Sequence, residues 1–309
     1  MDKGELAIGT GSTQAPVPSA WRRALDSDIF YSFRRSPLVI TAGGIVMVYV
    51  LATLFAPWVA PHNPFDLRTL NLLDAFTPPA WAERGNPQYF LGTDDQGRDV
   101  ISAIIFGSRM SLVIGLCATL LAAAVGVTLG LVSGYAGGKV DAFIMRVADV
   151  QLSFPAILIA LLIDGLARAA LPKNLHDQLA VYVLIFAIAA AGWVNYARTV
   201  RGSTLVERNK EYVQAARVIG RHPLAIMFAH VLPNVLGPVL VIGTLQIGAA
   251  IITESSLSFL GVGVPPTQPS LGTLIRIGND FLFSGEWWIT VFPGAALVIL
   301  VLSINVLGD

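Results

Sequence analysis

The chain has 309 residues, of which 54% are hydrophobic and 13% charged, with a mean hydropathy of +0.67. A soluble domain carries roughly 25% charged residues, so this balance places the chain in a membrane. The net charge of zero removes the case for a nucleic-acid surface, and the single cysteine, Cys117, excludes an internal disulfide.

Residues 1–37 are polar, rich in Gly, Ser, Thr and Pro, and contain Arg22, Arg23, Arg34 and Arg35. They hold no short apolar core followed by small residues, so we expect a cytosolic tail rather than a signal peptide. Residues 21–33 are expected to lie as an interfacial helix.

Crossing a bilayer takes about 20 mostly apolar residues. Windows poor in charge place six spans at 38–60, 111–132, 143–163, 179–195, 234–252 and 288–307. The third contains Arg146 and Asp149, which share a helix face and are expected to pair near the headgroups. Cys117 falls inside the second span and reads as a small buried apolar residue.

Orientation follows from Lys and Arg. With a cytosolic N-terminus, the inside segments 1–37, 133–151 and 196–233 hold 5, 2 and 6 basic residues, 13 of the 20 in the chain. The same assignment puts the C-terminus inside.

The outside segment 61–108 is too long for a simple loop. With Trp81, Tyr89, Phe90 and the turn Thr77-Pro78-Pro79, it is expected to fold as a small extracytoplasmic cap. Asp94, Asp95 and Asp99 suggest a calcium loop by composition, but the twelfth position from Asp94 or Asp95 is Ile105 or Phe106 rather than Glu. A helix start capped by carboxylate fits better.

Within the spans, glycines at 43-44, 126/130 and 243/248 permit close helix contact. Glu254 and Asp164 fall at the predicted outer ends, where water reaches them. Gln246 sits mid-span, where a polar side chain either lines a passage or hydrogen-bonds between helices.

The stretch 211–233, EYVQAARVIGRHPLAIMFAHVLP, is the most polar and basic segment between two apolar ones. Gln214-Ala215-Ala216 favours a short helix. Gly220 ends it, since glycine takes the left-handed conformation of a C-cap. His222-Pro223 starts the next helix, and Leu232-Pro233 opens the fifth span. On the first helix Ala215, Val218 and Ile219 share a face with Ala216 beside them, a small apolar surface suited to a groove on another protein.

Catalytic signatures are lacking. Gly138-Lys139 is followed by Val140 and does not complete a phosphate loop. His62, His176, His222 and His230 have no metal-ligand spacing, and no nucleophile elbow occurs. The chain reads as a non-enzyme.

The motif formed by Gln214, Ala215, Ala216, Arg217, Gly220, Leu232 and Pro233 resembles the cytoplasmic EAA loop of ABC-importer permeases. In that family the loop couples to the ATP-hydrolysing subunits. Gln214 stands where Glu is typical and His230 where Ile is typical. Residues 91–100 (LGTDDQGRDV), 134–150 and 256–275 resemble the dipeptide, oligopeptide and nickel branch, with Leu271 where Trp is frequent. The resemblance runs from the first span onward, and the family usually continues past Gly308-Asp309 with a short polar tail.

The resemblance implies an all-α type I importer permease fold in the cell inner membrane of a bacterium or archaeon. The implied partners are a second homologous permease, two ATP-binding subunits and an extracytoplasmic solute-binding protein. ATP and Mg would bind the partners, with no cofactor in this chain. The alternative is a secondary transporter driven by an ion gradient, which calls for broken helices in an inverted repeat and carboxylates near the midplane.

Overall fold

The structure, a computed structural model, describes residues 36–66 and 70–308. The expected interfacial helix at 21–33 lies outside them. Chain contacts separate Met1–Thr41 from Ala42–Asp309, and the second unit carries the core.

Among the described residues the α-helices of eight residues or more are α1 (Pro37–Leu54), α2 (Val100–Ala136), α3 (Gly138–Leu152), α4 (Ala156–Ala170), α5 (Lys173–Glu207), α6 (Glu211–Val218), α7 (Leu232–Phe259), α8 (Leu271–Asn279) and α9 (Trp288–Gly308). Among the described residues there is no strand, only an isolated bridge between Thr93 and Asp99.

Among the described residues five helical stretches are long and apolar enough to cross a membrane, and α3 with α4 make a sixth if that bent pair counts as one span. The third expected span, 143–163, is therefore not one straight helix: α3 and α4 meet at 92°. Pro155 is the cause. It has no N–H to donate, and it biases Phe154 away from helical dihedrals, so α3 stops at Ser153. Nor do Arg146 and Asp149 pair with each other. Asp149 takes Arg198 of α5 instead.

The second and fourth spans are longer than charge-poor windows suggest, at 37 and 35 residues. At about 1.5 Å per residue each exceeds the roughly 30 Å hydrocarbon core, so both continue beyond it. Arginine is a good helix former, so charge marks the edge of the hydrocarbon and not the end of the helix.

α2 and α5 pack closely along much of their length. A Cβ at Gly126 would lie 2.3 Å from the Trp193 carbonyl oxygen, at Gly130 2.6 Å from that of Ala197, and at Gly134 2.9 Å from that of Arg201. Three glycines four residues apart thus form one stripe along which backbones touch. Gly248 is similar, its Cβ position 2.5 Å from Asn305 Oδ1 on α9, whereas Gly44 faces open space and serves no such contact. Gly130→Val is expected to force α2 from α5, costing about 1–3 kcal/mol or more by overpacking. A fall of several degrees in the melting temperature of the detergent-solubilised chain checks this. Cys117 is exposed rather than buried, because it shares the outward face of α2 with Val113, Leu116 and Leu120.

The carboxylates before α2 are committed within their own loop. Asp99 caps α2, accepting from Ser102 N at 2.8 Å. Asp94 accepts from the backbone N–H groups of Gln96 and Arg98, each at 2.9 Å, and from Arg98 Nε at 2.6 Å. Burial raises the Asp95 carboxyl above its ordinary range, the neighbouring Asp94 charge adding to it. The Trp288 indole donates to the Thr93 carbonyl at 3.0 Å, tying this loop to α9.

Glu254 and Asp164 are not at water-exposed ends; they are 0% and 1% exposed. Glu254 accepts from Ser111 Oγ of α2 at 2.8 Å and from Ser258 Oγ at 2.7 Å. Ser111 Oγ also accepts from Leu271 N at the start of α8. The end of α7 is thus roofed by α8, which sequence spacing could not show. Asp164 pairs with Arg168 Nε at 2.6 Å, one turn on.

Candidate coupling site

The stretch 211–233 folds as a helix, a tight reversal and a second helix that merges into α7. α6 ends in a Schellman motif: Arg221 N reaches the Ala216 carbonyl at 3.1 Å and Gly220 N that of Arg217 at 2.9 Å. Gly220 has φ +80°, a conformation that a side chain disfavours, and nothing lies within 4 Å of its Cβ position. The glycine is therefore required by the backbone and not by crowding.

His222 Nδ1 accepts from Leu224 N at 3.3 Å and caps the short turn Pro223–Ile226, with Pro223 at its first position. The chain then passes through one wide turn, Met227–Val231, where Leu232 N bonds back to the Met227 carbonyl. Pro233 cannot donate to the carbonyl four residues back, and a wide turn beside a missing bond is how a helix absorbs it.

α6 is held from several sides. The Tyr212 hydroxyl donates to Glu207 Oε2 at 2.5 Å and accepts from Asn234 Nδ2 at 3.2 Å, joining α5, α6 and α7. Burial and then the Glu207 carboxylate push the Tyr212 phenol up to about 12, so it keeps its proton and this bond through the physiological range. Lys210 Nζ pairs with Glu207 Oε1 at 2.6 Å. Arg208 Nη1 donates to the Gly134 carbonyl at 2.8 Å, and Arg201 pairs with Asp141 at 2.5 and 2.6 Å. Gln214 Nε2 donates to the Asn209 carbonyl at 3.0 Å, a bond that uses no charge.

The faces of α6 differ from the expected arrangement. Val213 and Ala216, 0% and 5% exposed, pack in one apolar cluster with Ile226, Met227 and Val231. Ala216 therefore faces this chain's own core and is not part of an outward docking face. Val218 and Ile219 are 88% and 79% exposed, with Gln214, Ala215 and Arg217 also outward. A helix turns 100° per residue, and anchoring α6 through 213 and 216 rotates 218 and 219 out. Arg217 lies over the Tyr135 ring, 4.9 Å from its centroid, and donates to its hydroxyl at 3.3 Å. Leu232 is partly buried and Pro233 exposed at the entry to α7.

Gln246 lines a cavity of about 110 Å³ between α2, α5, α7 and the start of α4. The α3–α4 bend forms part of this wall. Gln151 holds it, donating to the Ala190 carbonyl at 2.7 Å and accepting from Trp193 Nε1 at 2.8 Å. Among the described residues no cluster of His, Cys, Asp and Glu suits a metal.

Residues 126–309, more than half the chain, match the family described as binding-protein-dependent transport system inner membrane component. The chain belongs to that family. Residues 19–79 match the N-terminal TM domain of oligopeptide transport permease C. The chain is 35% identical over 297 residues to the dipeptide transport system permease protein DppC of Haemophilus influenzae, covering 96% of each. It is 35% identical over 286 residues to the oligopeptide transport system permease protein OppC of Bacillus subtilis, covering 93% of this chain and 87% of that one. In fold it is similar to a chain of the MetNI methionine ABC transporter in an inward-facing conformation. That likeness has a TM-score of 0.53 at 16% identity, over 67% of this chain and 93% of the other. The fold is that of a type I ABC-importer permease, and the protein is a multi-pass inner-membrane permease subunit.

Proposed function

We propose that this permease forms half of the passage of an ATP-driven importer of short peptides. A second, homologous permease supplies the other half, and two ATP-binding subunits dock on residues 211–233. An extracytoplasmic protein delivers the solute. The observation that carries the coupling role is the pair Val218-Ile219. Two large aliphatic side chains project from a helix end that is pinned to α5 and α7, a geometry suited to a groove in a partner. The peptide class rests on the relatives named above, which are dipeptide and oligopeptide permeases.

In this mechanism, closure of the ATP-binding subunits draws the two α6 knobs together. The Tyr212 bridge transmits that movement to α5 and α7, and the Arg201–Asp141 pair carries it from α5 to α3, so that the passage rocks from inward- to outward-facing. Gln246 lies on the passage wall. ATP and Mg are held by the partners and not by this chain, whose own residues position the knob and line the passage.

Reconstitution with these four partners in liposomes tests the reading directly. ATP-dependent accumulation of radiolabelled tri-alanine is expected, and none without the binding protein. Accumulation without ATP, driven by an ion gradient, would refute it.

The proposed orientation places 61–108 outside, with 196–233 and both termini inside. In a Cys117→Ser background, a membrane-impermeant maleimide is expected to label Gln88→Cys and spare Asn209→Cys in intact cells. Both positions are exposed on the chain surface, so a reversed pattern would overturn the orientation and with it the docking role.

A further inference from the structure

Arg109 is a cation in an apolar setting with no anion of this chain beside it. It lies in the third turn of α2 and is exposed. Among the described residues it makes neither an ion pair nor a hydrogen bond. Ionisable side chains in membrane spans are rare, and each calls for a named partner.

Two cavities meet at this side chain. An apolar groove of about 550 Å³ runs between α1, α2, α7 and α9, and Arg109 is its only charged lining residue. Val50, Leu54, Val113 and Leu116 are exposed on its walls. Arg109 and Val113 also line a second cavity, of about 560 Å³, beside the polar side chains of Thr267 and Gln268. No Asp, Glu or Lys lines either one. An apolar slot that opens past one unpaired cation into a neutral polar mouth has the profile of an amphiphile.

The depth of the slot matches one leaflet. The Ser111–Glu254 bond, 2.8 Å long, fixes the level of α2 along α7. From Glu254 the groove residue Thr244 lies about 15 Å farther along α7, half of the roughly 30 Å hydrocarbon core. On its other side α1 is tied to α9, where the Tyr49 hydroxyl donates to the Ala296 carbonyl at 3.0 Å.

We propose that this groove is a binding site for an anionic phospholipid of the phosphatidylglycerol class, with one acyl chain between α1 and α2 and the phosphate on Arg109. A guanidinium meets phosphate oxygens with two parallel N–H donors, a charge-assisted contact stronger than a neutral one. Thr267 and Gln268 offer neutral hydrogen bonds to a glycerol headgroup. An ethanolamine headgroup would instead bring an ammonium to a mouth lined by no carboxylate. In the proposed orientation the site belongs to the outer leaflet, and the bound lipid fills the gap between the first span and the rest of the bundle.

Native mass spectrometry of the assembled transporter tests this, after delipidation in detergent and titration with dioleoyl phosphatidylglycerol or dioleoyl phosphatidylethanolamine. Relative to wild type, Arg109→Gln is expected to weaken one phosphatidylglycerol site about fivefold, the upper worth of an exposed ion pair, and to change phosphatidylethanolamine binding much less. Arg109→Lys keeps the charge and should restore most of the preference. Arg146→Gln removes the same charge on α3 and should leave both lipids unaffected, since Arg146 lines neither cavity. Leu116→Trp fills the slot and should weaken both lipids, while excess inorganic phosphate should displace neither. A phosphatidylglycerol preference that survives Arg109→Gln, or binding indifferent to Leu116→Trp, would overturn the proposal. Displacement by phosphate would also overturn it, marking an anion site that holds no chain. Loss of the second permease from the Arg109→Gln complex, with lipid binding unchanged, would give the groove to the subunit interface and overturn it as well.

Discussion

Val218→Glu is expected to leave this permease folded in the membrane while its ATP-binding subunits are lost during purification. Val218 is 88% exposed, so within this chain the substitution alters almost no contact. In the proposed complex it is different. Burying a valine or isoleucine side chain contributes about 1.5–3 kcal/mol, and a glutamate in its place adds an unpaired charge at an interface, a change of about 3–5 kcal/mol in buried settings. Together these shift a dissociation constant by several powers of ten. Ile219→Glu should act alike, being 79% exposed on the same end of α6. Ala216→Glu gives the contrasting result: 5% exposed in the cluster with Val213 and Met227, it should destabilise the permease itself. Arg217→Ala removes an exposed contact with Tyr135 and should weaken binding by about 1 kcal/mol or less. The ratio of ATP-binding subunit to permease after affinity purification measures all four. A wild-type ratio with both Val218→Glu and Ile219→Glu would show that the knob docks elsewhere or not at all.

Gly220→Pro should abolish uptake while sparing basal ATP hydrolysis. Proline holds φ near −65°, whereas Gly220 sits at +80°. It also removes the N–H that bonds to the Arg217 carbonyl at 2.9 Å, so the Schellman reversal cannot form. The open space around Gly220 makes the two components separable. Gly220→Ala adds only the strain of a side chain at positive φ, about 1 kcal/mol, and should retain most uptake. Gly220→Pro redirects the chain between α6 and Pro223, so movement of the knob no longer reaches α7. Transport and ATP hydrolysis measured on the same reconstituted preparation distinguish uncoupling from loss of assembly. Normal uptake in Gly220→Pro would remove the reversal from the mechanism.

The features legible in the sequence are those that short-range chemistry decides. A carboxylate-capped helix start among Asp94, Asp95 and Asp99, Gly220 as a left-handed terminator and His222-Pro223 as a helix start each depend on the backbone within three or four residues. Each is found where composition and spacing place it. The glycines at 126 and 130 were readable as a contact stripe for the same reason, since a helix fixes which residues share a face. The family was legible from its motifs, because they are contiguous.

Burial and partnership were not legible, since they depend on which elements lie across from a residue. Ala216 and Val218 are two apart and both apolar, yet one points into the core and the other out of it. The packing of α6 on Met227 and Val231 decides that, and no local pattern encodes it. Glu254 looked like the wet end of a span until α8 folded back over it through Ser111 and Leu271, contacts 143 and 160 residues apart. Asp149 shares a helix face with Arg146 but pairs with Arg198, because the bend at Pro155 aligns α3 with α5. The cavity of Thr119, Tyr196 and Gln246 joins three helices distant in sequence. Sequence thus determined the reversal at Gly220 and the helix start at His222-Pro223, since those choices are made by adjacent backbone groups, while the ends of the long helices lay beyond what charge-poor windows mark. Tertiary structure alone decided which side chains face one another, because burial and pairing are properties of the space between helices.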